Sequence, residues 1–284
     1  MIPMTFEYQR ADTLRDALKA VSAGDGTKVL AGGHSLLPLM KLRMASVPRV
    51  VDIAHLAELR GIGERRRGAR IGALTTYREI LESSLLGERF PLLSEATRQV
   101  ADLQVRNRGT LGGNLAHADP ASDMPAVMLA LGAEFKVRSR KRRRTLPADE
   151  FFLGPFATAM EQDELLIEIL LPGPPRGAGQ AYVSFRQQAS GYAMAAAAAV
   201  VKVSRRRIKQ CTVALTGVSD SPFLIDTEAL RDTRGEPEAV AEAARVALRD
   251  VAVAEDIHAP REYRRRLAEE AIARAIAAAV ARTR

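Results

Sequence analysis

The chain has 284 residues, 47% hydrophobic and 27% charged, the balance of a folded globular protein with length for about two domains. A single cysteine, Cys211, excludes an internal disulfide and any cysteine-ligated cluster held within this chain, and no apolar run reaches the ~18–20 residues of a membrane helix. The net charge of +8 and the pI near 10 raise nucleic-acid binding, but aromatic residues are only 5% of the chain and none lies inside the arginine runs at 65–67, 138–144, 205–207 and 264–266.

In chain order, the first residues lack a charged segment followed by an apolar core, so no secretory signal is expected. Residues 8–23 read as a helix, with Thr13 as N-cap and Leu14, Ala17, Leu18 and Val21 at helical spacing. A strand at 28–31 runs into Gly32-Gly33. A short helix or turn follows at 35–44, with Pro38 tolerated in its first turn, and 49–53 is a strand. These pieces make a small β-α-β-like unit ending near residue 55. Strands at 59–62 and 69–73 pair across the first arginine tip. Thr75-Thr76 cap a helix reaching Leu86, and another helix starts at Pro91 and fades by Asp102. A turn at Gly112-Gly113 is followed by a helix at 123–131, a hairpin at 133–146, a loop at 151–155 and a strand at 164–171.

The breaker-rich stretch 172–179 reads as a linker. Antiparallel strands are expected at 181–185, 193–203 and 208–215. Within the second of these, the alanines at 193–199 favour helix, whereas the Val-Lys-Val ending favours strand. Helices at 237–248 and 261–282 close the chain, the last with alanines on one face and arginines on another. The first three arginine runs read as solvated hairpin tips. The whole is α+β.

Two segments carry chemistry. Val29-Leu30-Ala31-Gly32-Gly33-His34-Ser35-Leu36 and Gly109-Thr110-Leu111-Gly112-Gly113-Asn114-Leu115 each place a double glycine beside a hydroxyl or amide side chain. Glycine lets a backbone bend sharply and approach a ligand closely, and two such bends can point N–H groups at one anion from two sides. Ser35, Thr110 and Asn114 can each hydrogen-bond a phosphate or ribose oxygen. A purely structural turn is the alternative for either segment. There is no G-x-x-x-x-G-K-[ST], no G-x-G-x-x-G after a strand and no G-x-S-x-G, which leaves P-loop, Rossmann and α/β-hydrolase readings unsupported. His34 and His117 lack a third ligand at metal spacing, and His55 and His258 stand alone, so no metal is expected. Cys211 lies in a β-like run and reads as packing.

The run 31–43, Ala-Gly-Gly-His-Ser-Leu-Leu-Pro-Leu-Met-Lys-Leu-Arg, resembles a signature of the FAD-binding medium subunits of molybdenum hydroxylases, in particular the carbon monoxide dehydrogenase group. The run 101–126, which includes Gly109-Thr110-Leu111-Gly112-Gly113-Asn114 and Asp119-Pro120-Ala121-Ser122-Asp123, is similar to the second signature of that family. The resemblance extends from Phe6-Glu7-Tyr8 to Glu262-Tyr263-Arg264. It implies an α+β fold: an FAD-binding domain over 1–175, in subdomains of about 1–55 and 56–175, of the vanillyl-alcohol-oxidase-like (PCMH) type. A smaller α+β domain over 178–284, like the carbon monoxide dehydrogenase flavoprotein C-terminal domain, would follow.

By the same resemblance, the FAD diphosphate lies between the glycine turns, held by Ala31, Gly32, Gly33, His34, Ser35 and Leu36 and by Thr110, Leu111, Gly112, Gly113 and Asn114. Asp123 accepts from FAD hydroxyls or caps the helix beginning at Met124. Tyr192 matches a tyrosine near the flavin ring. Leu166 matches an aliphatic residue that touches the flavin, a position that strand burial explains equally. Arg186 matches a basic position, and Gly191 stands where close relatives often carry aspartate. The implied function is electron transfer with no catalytic base on this chain: electrons come from a small [2Fe-2S] subunit fed by a large molybdenum-cofactor subunit and leave to an external acceptor. The expected assembly is a dimer of heterotrimers, cytoplasmic, meeting the inner face of a membrane only through partners. A single cysteine excludes the extra iron–sulfur cluster that some relatives carry in this subunit. A free-standing FAD oxidase and a basic nucleic-acid-binding protein are the alternatives. The substrate of the complex (carbon monoxide, aldehyde, purine or aromatic heterocycle) and the acceptor stay open.

Overall fold

The computed structural model describes residues 2–24 and 26–283. The chain builds three sheets in succession, plus a two-stranded ribbon. The first is parallel and three-stranded, with Arg49–Asp52 in the centre between Glu7–Arg10 and Thr27–Leu30. The helix Leu14–Val21 begins where Thr13 caps it, the Thr13 hydroxyl accepting from the Asp16 amide at 3.1 Å. The helix expected from residue 8 is therefore corrected at its start: Glu7–Arg10 is a strand. Its extended form is imposed by pairing with 49–52, more than 40 residues away, which no local pattern records.

The second sheet is antiparallel, in the order Ile62–Arg65, Gly68–Gly72, Leu165–Leu171, Glu134–Arg138, Arg143–Pro147. Helices pack on it around a core that includes Phe90, Leu111, Met124, Phe135 and Phe151. Thr76 forms a reciprocal capping box with Glu79, as its position suggested, but the helix stops at Glu82 because Ser83 caps a separate helix, Ser84–Arg89. Three further differences concern 101–155. Asp102 caps a helix, Leu103–Arg108, in a stretch where the helical pattern fades. The loop expected at 151–155 is the end of a short helix, Ala148–Phe151, and a ribbon strand, Phe152–Gly154. Gly112-Gly113 is not a turn but lies inside the helix Leu111–His117.

The third sheet carries Gly179–Arg186, Ala193–Ser204, Arg207–Thr216 and Phe223–Leu224 in sequence order. Alanine is a poor strand former, yet 193–199 is strand, and side-chain alternation gives the reason. Ala195, Ala197 and Ala199 face the core built with the helix Arg261–Ala281, while Ala196, Ala198 and Val200 face the core of the preceding unit. A strand covered on both faces needs small side chains where helices approach closely, and packing overrides propensity. Helix Arg261–Ala281 buries Ala268, Ala271, Ile272, Ala275, Ile276 and Ala279 at the expected spacing.

The arginine runs are not all bare. Arg66, Arg205 and Arg206 do sit in left-handed hairpin tips. Arg144, however, is ion-paired with the Glu164 carboxylate at 2.5 Å, and Arg142 pairs with Glu161. Arg264 is buried, donating to the carbonyls of Met194 (2.8 Å) and Gly217 (2.7 Å) and pairing with Asp256 at 2.7 Å. No helix among the described residues is long and apolar enough to cross a membrane.

Candidate functional site

The parallel sheet directs its carboxyl ends toward the second unit, the side on which open α/β sheets take ligands. Gly32 follows the strand Thr27–Leu30 there. A Cβ on Gly32 would overlap the Arg108 carbonyl and lie 2.9 Å from the Gly109 Cα, so the two glycine segments touch directly. A Cβ built on Gly113 would lie 3.5 Å from the Ala31 Cβ, which closes the same seam. The sequence pattern predicts glycines that make room for a ligand. In the structure, Gly32 and Gly112 instead make room for protein backbone, Gly112 against Ala73 and Gly32 against 108–109.

The two segments differ in what they offer an anion. Gly33 has φ +80°, and this left-handed step leads into the helix Leu36–Lys41. No acceptor among the described residues is bonded by the amides of Gly32, Gly33, His34, Ser35 or Leu36, and the Ser35 side chain makes no cap. Consecutive free N–H groups on a bend make an anion-binding concavity. In the second segment the amides from Leu111 to Asn114 are taken. Leu111 N donates to Thr75 O (3.0 Å), Gly112 N to Ala73 O (2.9 Å), Gly113 N to Thr110 Oγ1 (3.2 Å) and Asn114 N to Thr110 O (3.1 Å). What remains there is the Thr110 backbone amide, which bonds no acceptor among the described residues, and the Asn114 side chain, whose Oδ1 accepts from the Ser122 hydroxyl at 2.8 Å and whose NH2 is thereby aimed elsewhere.

A cleft of about 390 Å3 lies at this seam, lined by Ala31, Gly32 and Thr110 together with Tyr8, Arg10, Asp52, His55, Arg60, Thr76, Asn107 and Arg108. Tyr8 and Arg10 come from strand 7–10, which has no local signal of its own, whereas Asn107 and Arg108 lie in the 101–126 run without being singled out there. His55 Nε2 accepts from Arg10 Nε at 3.0 Å, and Tyr8 donates to Asp52 at 2.7 Å.

Asp123 stands at the first turn of the helix Asp123–Ala130, only 6% exposed. It is not the cap; Ser122 occupies that place. Its Oδ1 accepts from the Tyr182 hydroxyl at 2.5 Å and from Arg186 at 2.7 Å, both reaching across from the third sheet. Burial pushes the Asp123 carboxyl above the ordinary carboxylate range, and the Arg186 charge and the Tyr182 hydroxyl pull it back. Arg186 also donates to the Gly191 carbonyl at 2.5 Å, which fastens the loop bearing Tyr192. Gly191 is left-handed, φ +73°. Tyr192 is 51% exposed, and its phenol is raised by burial and by Asp119 and Asp123. Leu166 is buried in the main core and lines no part of the cleft. His34 is exposed, and His117 stacks on Phe156 at 5.1 Å with its imidazole pushed down by burial. Among the described residues, no three His, Cys, Asp or Glu side chains are grouped as metal ligands. Tyr182, absent from the residues named by sequence, carries no signal there beyond a place in an apolar strand.

Two family models span most of the chain. The family described as "FAD binding domain in molybdopterin dehydrogenase" matches residues 4–174, and "CO dehydrogenase flavoprotein C-terminal domain" matches 180–279. The carbon monoxide dehydrogenase medium chain of Hydrogenophaga pseudoflava is 38% identical over 285 residues, 99% of each chain. The nicotine 6-hydroxylase medium subunit of Paenarthrobacter nicotinovorans is 34% identical, covering 97% of this chain and 98% of its own. Among solved structures, carbon monoxide dehydrogenase from H. pseudoflava superposes with TM-score 0.97 at 39% identity over all of both chains. Quinoline 2-oxidoreductase from Pseudomonas putida 86 does so with TM-score 0.94 at 28% identity over 99% of both chains. Both family models and this end-to-end likeness lead to one conclusion: the chain belongs to the FAD-binding medium subunits of the molybdenum hydroxylases.

Proposed function

We propose that this chain carries FAD as the electron-transfer subunit of a cytoplasmic dimer of heterotrimers. In that assembly, a large molybdenum-cofactor subunit oxidises the substrate and a small [2Fe-2S] subunit delivers the electrons. The division of labour falls at the 172–179 segment, with an FAD-binding domain over 1–175 and a supporting domain over 178–284. The observation that carries the reading is the run of unengaged amides from Gly32 to Leu36. These donors, with the Ser35 hydroxyl and the Asn114 amide, fit a diphosphate, and Asp123 fits the cofactor's hydroxyl groups. Ala31 and Thr110–Gly113 hold the amide run in place from behind, and Tyr192, on a loop tied by Arg186, is placed to shield one face of the ring. Bound FAD supplies the ability to take up single electrons and release them in pairs. This chain's own residues bind, orient and shield; none of them is asked to abstract a substrate proton.

Gly33→Val tests the grip. A branched residue cannot hold φ +80°, and its Cβ would lie 3.0 Å from Leu37 Cδ1, so the amide run is redirected. The purified variant is expected to be colourless, with a wild-type far-UV spectrum. A full flavin absorbance spectrum in this variant would reject the assignment of the diphosphate to this segment.

A further inference from the structure

We propose that Tyr182 is a positioning residue for FAD: from the C-terminal sheet, its hydroxyl fixes the Asp123 carboxylate so that Oδ2 is turned to the cofactor's hydroxyl groups. This inference rests on the reading that Asp123 touches FAD. Both side-chain donors to Asp123, Tyr182 and Arg186, bond Oδ1, the residue's own amide also favours the ionised carboxyl, and no side chain among the described residues donates to Oδ2. A carboxylate buried only to be neutralised would share its donors between both oxygens, since each oxygen left unpaired in the interior costs stability. Two donors on one oxygen instead leave the other as an oriented acceptor.

Tyr182 suits the task better than Arg186. It is 5% exposed, its ring is confined by the core, and its backbone amide donates to Glu95 Oε2 at 3.1 Å, so the phenol has one place to be. Arg186 is spread over Asp123, the Gly191 carbonyl and Gln99. The clasp also crosses units. Asp123 belongs to the 123–130 helix, while Tyr182 lies in strand Gly179–Arg186, opposite Ala198. The C-terminal sheet would thus set the orientation of a group in the cofactor's site, which gives that sheet a role beyond covering the core.

The groups that bear on Asp123 are Tyr182 and Arg186 from the strand, Tyr77 from the helix Tyr77–Glu82, Tyr192 from its loop, itself raised by Asp119, and the backbone amide of Asp123 itself. Glu95, on the helix Pro91–Gln99, is engaged by the Tyr182 amide and by Arg282. Removing the Tyr182 hydroxyl removes a donor that favours the ionised carboxylate, so Asp123 would take a proton at higher pH.

The experiment is a fluorescence titration of the full-length, flavin-stripped chain with FAD across acid to neutral pH. It uses the unsubstituted protein, Tyr182→Phe, Tyr182→His and Asp123→Asn, with apo melting temperatures as the check on folding. Tyr182→Phe is expected to bind FAD roughly tenfold more weakly near neutral pH, in line with loss of a hydrogen bond to a charged group. The pH at which its affinity collapses is expected to move upward. Tyr182→His, which returns a ring N–H, is expected to recover part of the affinity. Asp123→Asn is expected to bind weakly with a flattened pH profile. If Asp123→Asn weakens FAD while Tyr182→Phe keeps both the affinity and the pH profile of the unsubstituted chain, the positioning role is overturned and Asp123 keeps its place. If Asp123→Asn binds FAD normally, the underlying reading of the site fails instead. Should Tyr182→Phe not fold, Tyr182→His decides: affinity below that of Asp123→Asn overturns the proposal, and affinity between that variant and the unsubstituted chain supports it.

Discussion

The two double-glycine segments look alike in sequence and do opposite work in the fold. At Gly32-Gly33 the backbone turns left-handed and leaves a row of amides with no acceptor among the described residues. At Gly112-Gly113 it is helical, and the amides of that segment are answered by the carbonyls of Ala73, Thr75 and Thr110 and by the Thr110 hydroxyl. In the function proposed above, one segment is the grip and the other its backing plate. A doubled glycine thus marks a place where something approaches the backbone closely, and only the surroundings say whether that is a ligand or another part of the protein.

The largest expected effect comes from breaking the contact between the two. Gly32→Val would drive a side chain into the Arg108 carbonyl and the Gly109 Cα. Overpacking of this kind costs about 2–3 kcal/mol, and a lowered melting temperature together with absent flavin absorbance is the expected pair of observations. Retained flavin would mean that the grip does not need its backing. Next in size is an attack on the second segment alone. Thr110→Ala removes the cap on helix Leu111–His117, worth about 1 kcal/mol by thermal melting. Because the amides from Leu111 to Asn114 already have partners, FAD affinity by fluorescence titration should change less in Thr110→Ala than in Gly33→Val. The reverse order would show that the second segment, not the first, holds the diphosphate.

The smallest effect is one of pH. His117, in the last turn of the second segment's helix, has its imidazole pushed down by burial. Its neutral form is favoured in the fold, so its contribution to stability is present above the unfolded imidazole value of ~6.5 and is lost as the pH falls below it. The loss ends once the pH passes the lower folded value. Melting temperatures taken on either side of that window should differ less in His117→Gln than in the unsubstituted chain. An equal difference in both would place the acid sensitivity elsewhere.

Much of the fold is legible in the sequence because its signals are local. Thr13, Thr76 and Pro91 open helices where their chemistry says they should, the 172–179 breakers separate the second and third sheets, and the last helix buries its alanine face. Strand 7–10, which the local pattern reads as helix, exists through pairing with 49–52, and the strand expected at 193–203 holds its helix-favouring alanines through cover on both faces. Each depends on a partner distant in the chain. The site divides in the same way. Ala31–Leu36, Thr110–Asn114 and Asp123 are named by motif and resemblance, whereas Tyr182 and the cleft residues Arg10, His55 and Arg60 have no motif to mark them.

By itself, then, the order of residues determined the kinds of elements, the family and the groups able to meet a diphosphate, because propensity, capping and motif spacing act over a few residues. Which amides stay free among the described residues, which oxygen of Asp123 takes the side-chain donors and which glycine packs on backbone were decided by tertiary contact. Those properties belong to surfaces brought together from far apart in the chain, and a hydrogen bond is satisfied or left open only once its neighbours are in place.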